Sequence, residues 1–268
     1  MSTAALGATR RWTRSSMFGS PAQRRVLLAA FAAYCIWSLT DLPIDHARVM
    51  RGFGRAADML ARMWPPDFSR WQLLGKGMLE SIQMAIVSSV AGALLCLPLA
   101  LCAARNLAPT AVYVVARALI VVGRTFHEVI IAILFVKLFG FGAVAGMLTL
   151  AFSSAVFLAK MIAEDIENVR PGPVEAMRAT GARFGQVVVF AIAPQVIVRA
   201  LGVFIYRIDA NLRHSTVVGI VGAGGIGQTL AASFTRYDYD FSAAILLCIA
   251  ALVAFGEWFS DWVRRRLR

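Results

Sequence analysis

Charged residues stand inside apolar runs at Arg124, Glu128, Lys137, Lys160, Arg199 and Arg207. An ionised side chain in hydrocarbon is costly and persists where it faces a bundle interior or a wet cavity. Arginine and lysine carry only N–H donors, which match the oxygens of an oxyanion, so an excess of them along a buried path suits an oxyanion solute. Arg124 and Glu128 are four residues apart and share one helix face, where they can neutralise each other. Glu164 follows Lys160 at the same spacing. Lys137 and Arg207 read as side chains that snorkel to an interface. That leaves Arg124 and Arg199 as the mid-span candidates to line a route.

A second constellation is "VVGIVGAGGIG", Val217 to Gly227. A β-branched run entering Gly-x-Gly-x-x-Gly is the pattern of a dinucleotide-binding turn, and Asp240 lies near the place of its ribose-binding acid. That chemistry needs a strand before the glycines, a helix after them and a βαβ unit around them.

The elements that must position these residues are membrane helices. The 268 residues are 59% hydrophobic and 16% charged, with mean hydropathy +0.69; a soluble domain carries roughly 25% charged residues. The formal net charge of +12 is concentrated in "RRWTRSSMFGSPAQRR" and "RRRLR" rather than on one continuous face. This placement fits basic cytoplasmic flanks of membrane helices and excludes nucleic acid as a partner. The four cysteines, Cys35, Cys96, Cys102 and Cys248, lie in apolar runs without metal-ligand spacing.

Residues 1–25 read as a basic cytoplasmic N-terminus, and 26–40 as a first transmembrane helix, short against the roughly 17–25 residues of a span. Residues 41–70 read as an external amphipathic segment stopped by Pro65-Pro66. A core transmembrane domain fills 71–268, with apolar runs at Leu79–Ala104, Ala111–Phe139, Phe141–Ile162, Val187–Ile208 and Ser242–Val263. The expectation is therefore an all-α polytopic protein of six transmembrane helices with both termini cytoplasmic. No βαβ unit can be built around Gly222, Gly224 and Gly227 between two spans, so the dinucleotide pattern is a look-alike. Near the C-terminal end, Glu257 and Asp261 with Arg264 and Arg265 read as an ion network.

Between the fourth and fifth spans, "NVRPGPVEAMRATGARFGQVVVFAIAPQ" predicts a short helix opened by Gly172-Pro173 and closed at Gly181. It is either an ordinary surface turn or a helix that docks in a partner's groove. Glu175, Ala176, Gly181, Ile192 and Pro194 resemble the EAA loop of ATP-binding-cassette importer permeases, with Met177 departing at the third position. "PLALCAARNLAP", "FGFGAVAG", "AEDIENVRPGPVEAMRATGA" and "RHSTVVGIVGAGGIG" are together similar to the phosphonate and phosphite branch of that family. The likeness runs from about Trp71 to the C-terminus. One departure is "RTFHE", where His127 occupies the place of the branch's proline and puts the local kink in question.

The resemblance implies a type I ABC importer permease fold in the cell inner membrane, as a homodimer with two cytoplasmic ATP-binding subunits and an external substrate-binding protein. ATP and Mg belong to the partner subunits, because this chain has no G-x-x-x-x-G-K-[ST] sequence, and the chain is not an enzyme. Pro173, Glu175, Ala176, Met177, Thr180 and Gly181 would form the ATPase-coupling helix. Arg124, Glu128 and Arg199 would line the pathway. Ser215 to Gly227 is expected to be non-helical and to pack near the dimer axis as an external gate. Gly222, Gly224, Gly225 and Gly227 would permit close approach, with Arg213, His214, Ser215 and Thr216 at the polar edge. The function implied is import of phosphonate, phosphite or a related phosphorus oxyanion. A secondary anion transporter without ATPase partners is the alternative. An intramembrane enzyme is disfavoured, since His46, His127 and His214 are scattered.

Overall fold

The computed structural model describes residues 21–41 and 45–266, all in helices and short connections with no strand among them. Most of the basic N-terminal stretch expected at 1–25 lies outside these residues, as do the last two arginine-flanked positions of the chain. The residues up to Ala57 and those from Asp58 onward form two compact units. In the first, α1 (Pro21–Asp41) carries the apolar run 26–40. Helix α2 (His46–Arg62), which runs into the second unit, is amphipathic as expected. Val49, Met50, Phe53 and Leu60 lie on one side, and Arg48, Arg51, Arg55 and Arg62 on the other.

The larger unit continues with α3 (Trp71–Cys102), α4 (Thr110–Thr125), α5 (Glu128–Phe139), α6 (Ala143–Glu167), α7 (Pro171–Ala179), α8 (Phe184–Val187), α9 (Ala193–Ile220), α10 (Gly225–Thr235) and α11 (Tyr239–Arg266). A π turn, Val188–Ile192, joins α8 to α9. It precedes Pro194, which cannot donate a backbone hydrogen bond to the turn before it.

Among the described residues, four stretches are long and apolar enough to cross a membrane: α3, α6, the run Phe184–Thr235 and α11. Taken as one bent span, α4 and α5 supply a fifth. This count differs from the expected six. In α1 the apolar run is bounded by Arg24 and Arg25 on one side and Asp41 on the other, and it is too short for the same criterion.

Helices α3 and α6 form the spine of the unit, in close contact through small residues. A methyl group built on Gly92 would lie 2.4 Å from the Ser154 Cβ and 3.0 Å from the Ala151 carbonyl oxygen. Cys96, Ala100, Ala116, Ile120, Leu158 and Ala159 close the α3–α4–α6 core. Met84, Ala132, Val136, Leu150, Val218 and Ala223 form a second cluster that ties α5, α6 and the end of α9 to α3.

Between α4 and α5 the chain bends by 89°. Phe126 and His127 are extended, with φ −67° at His127, close to the angle a proline ring imposes. The His127 side chain also caps α5, its Nδ1 accepting from the Val129 N–H at 3.3 Å. The kink survives without proline.

Candidate functional site: a buried polar cluster at the helix corner

Helix α9 places Arg207, Asn211 and His214 at spacings of four and three, on one face. That face meets Glu128, the first residue of α5, together with Ser153 and Ser154 of α6 and Ser88 and Ser89 of α3. The Arg207 side chain is 5% exposed and its Nη2 lies 2.9 Å from Glu128 Oε1. The same nitrogen donates to Ser153 Oγ at 2.7 Å, while Nε donates to Ser154 Oγ at 2.9 Å. Ser153 in turn donates to Glu128 Oε1 at 2.5 Å. His214 Nδ1 contacts the other carboxylate oxygen, Oε2. The Phe157 ring lies beneath the guanidinium, 5.3 Å from its carbon.

Asn211 links this cluster to the spine. Ser88 and Ser89 already donate to the Ala85 carbonyl at 3.2 and 2.6 Å, so their oxygens are left as acceptors. Asn211 Nδ2 donates toward Ser89 and Ser154, each at 2.8 Å, and more distantly toward Ser88 at 3.3 Å. Asn211 Oδ1 is buried without a partner among the described residues. A buried ion pair of this kind is held by its geometry, and removing one partner strands the other at about 3–5 kcal/mol.

The cluster forms one wall of a cavity of about 540 Å³ lined by Arg124, His127, Glu128, Ser153, Arg207 and His214 among others. Arg207 Nη1 has no hydrogen-bond partner among the described residues. Two permanent cations, Arg124 and Arg207, thus face one carboxylate. The arrangement can hold an anion with oxygen acceptors.

Several sequence expectations need correction. Arg207 does not snorkel; it is the most buried cation of the site, because α9 turns it inward onto Glu128 and Ser154. Arg124 does not neutralise Glu128, because the bend separates two residues that a straight helix would align. It lines the cavity without an ion-pair partner among the described residues. Arg199 does not line this cavity; it lies in the first half of α9, is 68% exposed and faces Asp165 of α6 at 3.6 Å. Arg213 points away from the cavity, bonding Asp209 at 2.8 Å and Glu257 of α11. Glu257 therefore leaves the expected ion network, in which Arg264 and Asp261 remain paired at 2.6 Å.

The segment Ser215 to Gly227 is not an irregular loop. Helix α9 runs to Ile220, with Arg207, Asn211, Arg213 and His214 reaching partners on neighbouring helices, and only a tight turn separates it from α10. Ser215 Oγ donates to the Leu212 carbonyl at 2.7 Å, and Thr216 is buried. Gly222, Gly224 and Gly225 take φ of +93°, +85° and +72°, and Ala223 is fully buried in its own chain. A side chain on Gly222 would strike Phe141, and one on Gly224 the backbone of Ala143. These glycines pack against α3 and the α5–α6 connection.

Helix α7 opens at Pro171 rather than at Gly172-Pro173. Val174 is buried and Met177 packs against the cluster of Ala104, Ile166, Val187, Ile192 and Val196. Pro173, Glu175, Ala176, Thr180 and Gly181 are exposed. Gly181 closes the helix with φ +76°, its N–H bonded to the Arg178 carbonyl at 3.0 Å.

Sequence reasoning missed the Arg207 site. A signal was present in the 207, 211, 214 spacing, which aligns three polar residues on one face of an otherwise apolar helix.

Residues 96–268 match the family described as binding-protein-dependent transport system inner membrane component. The chain is 39% identical to the phosphite transport system permease protein PtxC of Stutzerimonas stutzeri, over 84% of this chain and 82% of the relative. It is 34% identical to the phosphate-import permease protein PhnE of Mycolicibacterium smegmatis over 95% of its own length, and spans 48% of that relative. In fold it is similar to a chain of the inward-facing MetNI methionine ABC transporter. That likeness has a TM-score of 0.66 at 24% identity, covering 75% of this chain and 99% of the other.

Proposed function

Since this chain belongs to the family of binding-protein-dependent transport system inner membrane components, we propose that it is the permease subunit of an ATP-driven importer for phosphite, phosphonate or a related phosphorus oxyanion. Proteins of this family are multi-pass membrane permease subunits and not enzymes. The observation that carries the substrate class is the cavity at the α4–α5 corner, where Arg207, its side chain only 5% exposed, has one guanidinium nitrogen without a partner among the described residues, in a lining that also includes Arg124. The chain's likeness to a phosphite permease and a phosphate-import permease supports the same class.

In this reading two copies of the chain form a homodimer whose termini lie in the cytoplasm. An external binding protein delivers the anion, and two cytoplasmic subunits bind ATP and Mg. The exposed side of α7, with Pro173, Glu175, Ala176, Thr180 and Gly181, docks on the ATPase, and Met177 and Val174 anchor the helix to the base of α9. A displacement of α7 would reach α9 through Val187, Ile192 and Val196, and so reach Arg207. Arg124, Glu128 and His214 line the route. Family membership favours this reading over a secondary anion transporter, which would need no ATPase.

The test is phosphite uptake into proteoliposomes holding the complete transporter with internal ATP. Uptake should require ATP, and Arg207→Gln should reduce it by more than tenfold at equal amounts of assembled complex. Uptake without ATP, or full uptake by the Arg207 variant, overturns the proposal.

A further inference from the structure

Glu128 makes the contacts that a bound oxyanion would make. Its Oε1 receives the Arg207 Nη2 donor at 2.9 Å and the Ser153 hydroxyl at 2.5 Å, and its Oε2 faces His214 Nδ1. A carboxylate and a phosphorus oxyanion present a guanidinium with the same pair of oxygen acceptors. We propose that Glu128 is a built-in stand-in for the substrate, holding Arg207 while the cavity is empty and yielding it to the incoming phosphorus oxyanion. This rests on the reading of the cavity as the oxyanion's route.

Three features support exchange over a fixed structural pair. Glu128 is the first residue of α5, directly after two extended residues at an 89° corner. A change at that corner moves its carboxylate while Arg207, Ser153 and Ser154 stay on long helices packed along the spine. The remaining contacts of Arg207 do not depend on Glu128: Nε is held by Ser154, and Phe157 supports the plane. The guanidinium therefore keeps its orientation when the carboxylate leaves. Finally, Nη1 has no partner among the described residues and Arg207 lines a roomy cavity, so an oxyanion can engage Arg207 before Glu128 has departed. The buried cation is never left without a counter-charge, the state that makes such sites costly.

Electrostatics set the direction of the exchange. With Glu128 in place, the pair is neutral and Arg124 alone attracts an anion. With Glu128 displaced, Arg207 and Arg124 both face it. A substrate of one or two negative charges satisfies that pair better than a single tethered carboxylate.

The experiment uses the full chain assembled with its ATPase partners in lipid nanodiscs, without binding protein. The shift in thermal unfolding midpoint is followed as phosphite is titrated, with chloride as the control anion. In Glu128→Gln the competitor is gone and the fold of the side chain is kept, so half-saturation should fall to about one tenth of the wild-type phosphite concentration or less. Glu128→Asp keeps the charge on a shorter arm that grips Arg207 poorly, and should fall between the two. It serves as the readout if the glutamine variant does not assemble. Chloride should produce no matching change.

If both Glu128 variants need as much phosphite as wild type, or more, while Glu128→Gln/Arg207→Gln no longer responds, the stand-in role is overturned and the cavity reading survives. If the double variant responds to phosphite as wild type does, the anion is not held at Arg207 and both fail.

Discussion

Replacing Gly227 with alanine tests what the glycines of "GAGGIG" are for. The added methyl would lie 1.9 Å from the Thr216 carbonyl oxygen, 2.8 Å from its carbonyl carbon and 3.1 Å from the Gly219 Cα. A Cβ does not sit closer than 3.0 Å to a neighbouring atom, so α9 and α10 must separate by about 1.1 Å at their crossing. All three obstacles are backbone, and no rotamer change relieves them. Separation also loosens Val218, Ala223 and Ile226, which are at most 1% exposed. Overpacking a tight site costs typically 1–3 kcal/mol, and a backbone-on-backbone clash belongs near the top of that range. At about 2–4 °C per kcal/mol for a chain of this size, 3 kcal/mol lowers the unfolding midpoint by about 6–12 °C. Gly202→Ala is the control: it lies in α9, the other helix of the crossing, with nothing within 4 Å of its added methyl. Alanine is the better helix former by about 1 kcal/mol, so the midpoint should rise. Far-UV circular dichroism of the full chain in nanodiscs reads both. A Gly227→Ala midpoint within about 2 °C of wild type, or equal shifts for the two variants, would refute the reasoning.

Gly181→Val should leave assembly intact, since nothing lies within 4 Å of a Cβ there, yet φ +76° makes the residue unfavourable by about 1–2 kcal/mol. The end of α7 should then shift, and the ratio of phosphite taken up to ATP hydrolysed should fall at least severalfold; an unchanged ratio removes the coupling assignment. Arg199→Gln should transport at the wild-type rate within a factor of two, because its exposed pair with Asp165 is worth at most about 1 kcal/mol. A loss comparable to that of Arg207→Gln would return Arg199 to the route.

The helical, membrane-spanning architecture was legible from composition and apolar run length, and the short helix at Pro171–Ala179 from its proline and glycine punctuation. Run length could not say where α9 ends. It treats Asp209, Asn211, Arg213 and His214 as reasons to leave the membrane, whereas each of them reaches a neighbour on α3, α5, α6 or α11 or its own helix. The site at Arg207 was hidden for the same reason. Snorkelling is the cheaper assumption for a lone cation, and the carboxylate that neutralises it lies 79 positions away in sequence. The bend at His127 hid the rest: with α4 and α5 read as one straight helix, Glu128 pairs with Arg124 on paper and is withdrawn from the partner it has in space.

The corner at His127 also differs in kind from one built on proline. A pyrrolidine ring would fix φ covalently, in the unfolded chain as well as in the folded one, and that restriction contributes about 0.4–1 kcal/mol of stability. Histidine reaches the same angle only as one populated state among others, held there by the Val129 cap and by what Glu128 touches. This chain gives up a covalent constraint, and its corner angle becomes an equilibrium property that a ligand on Arg207 is able to shift.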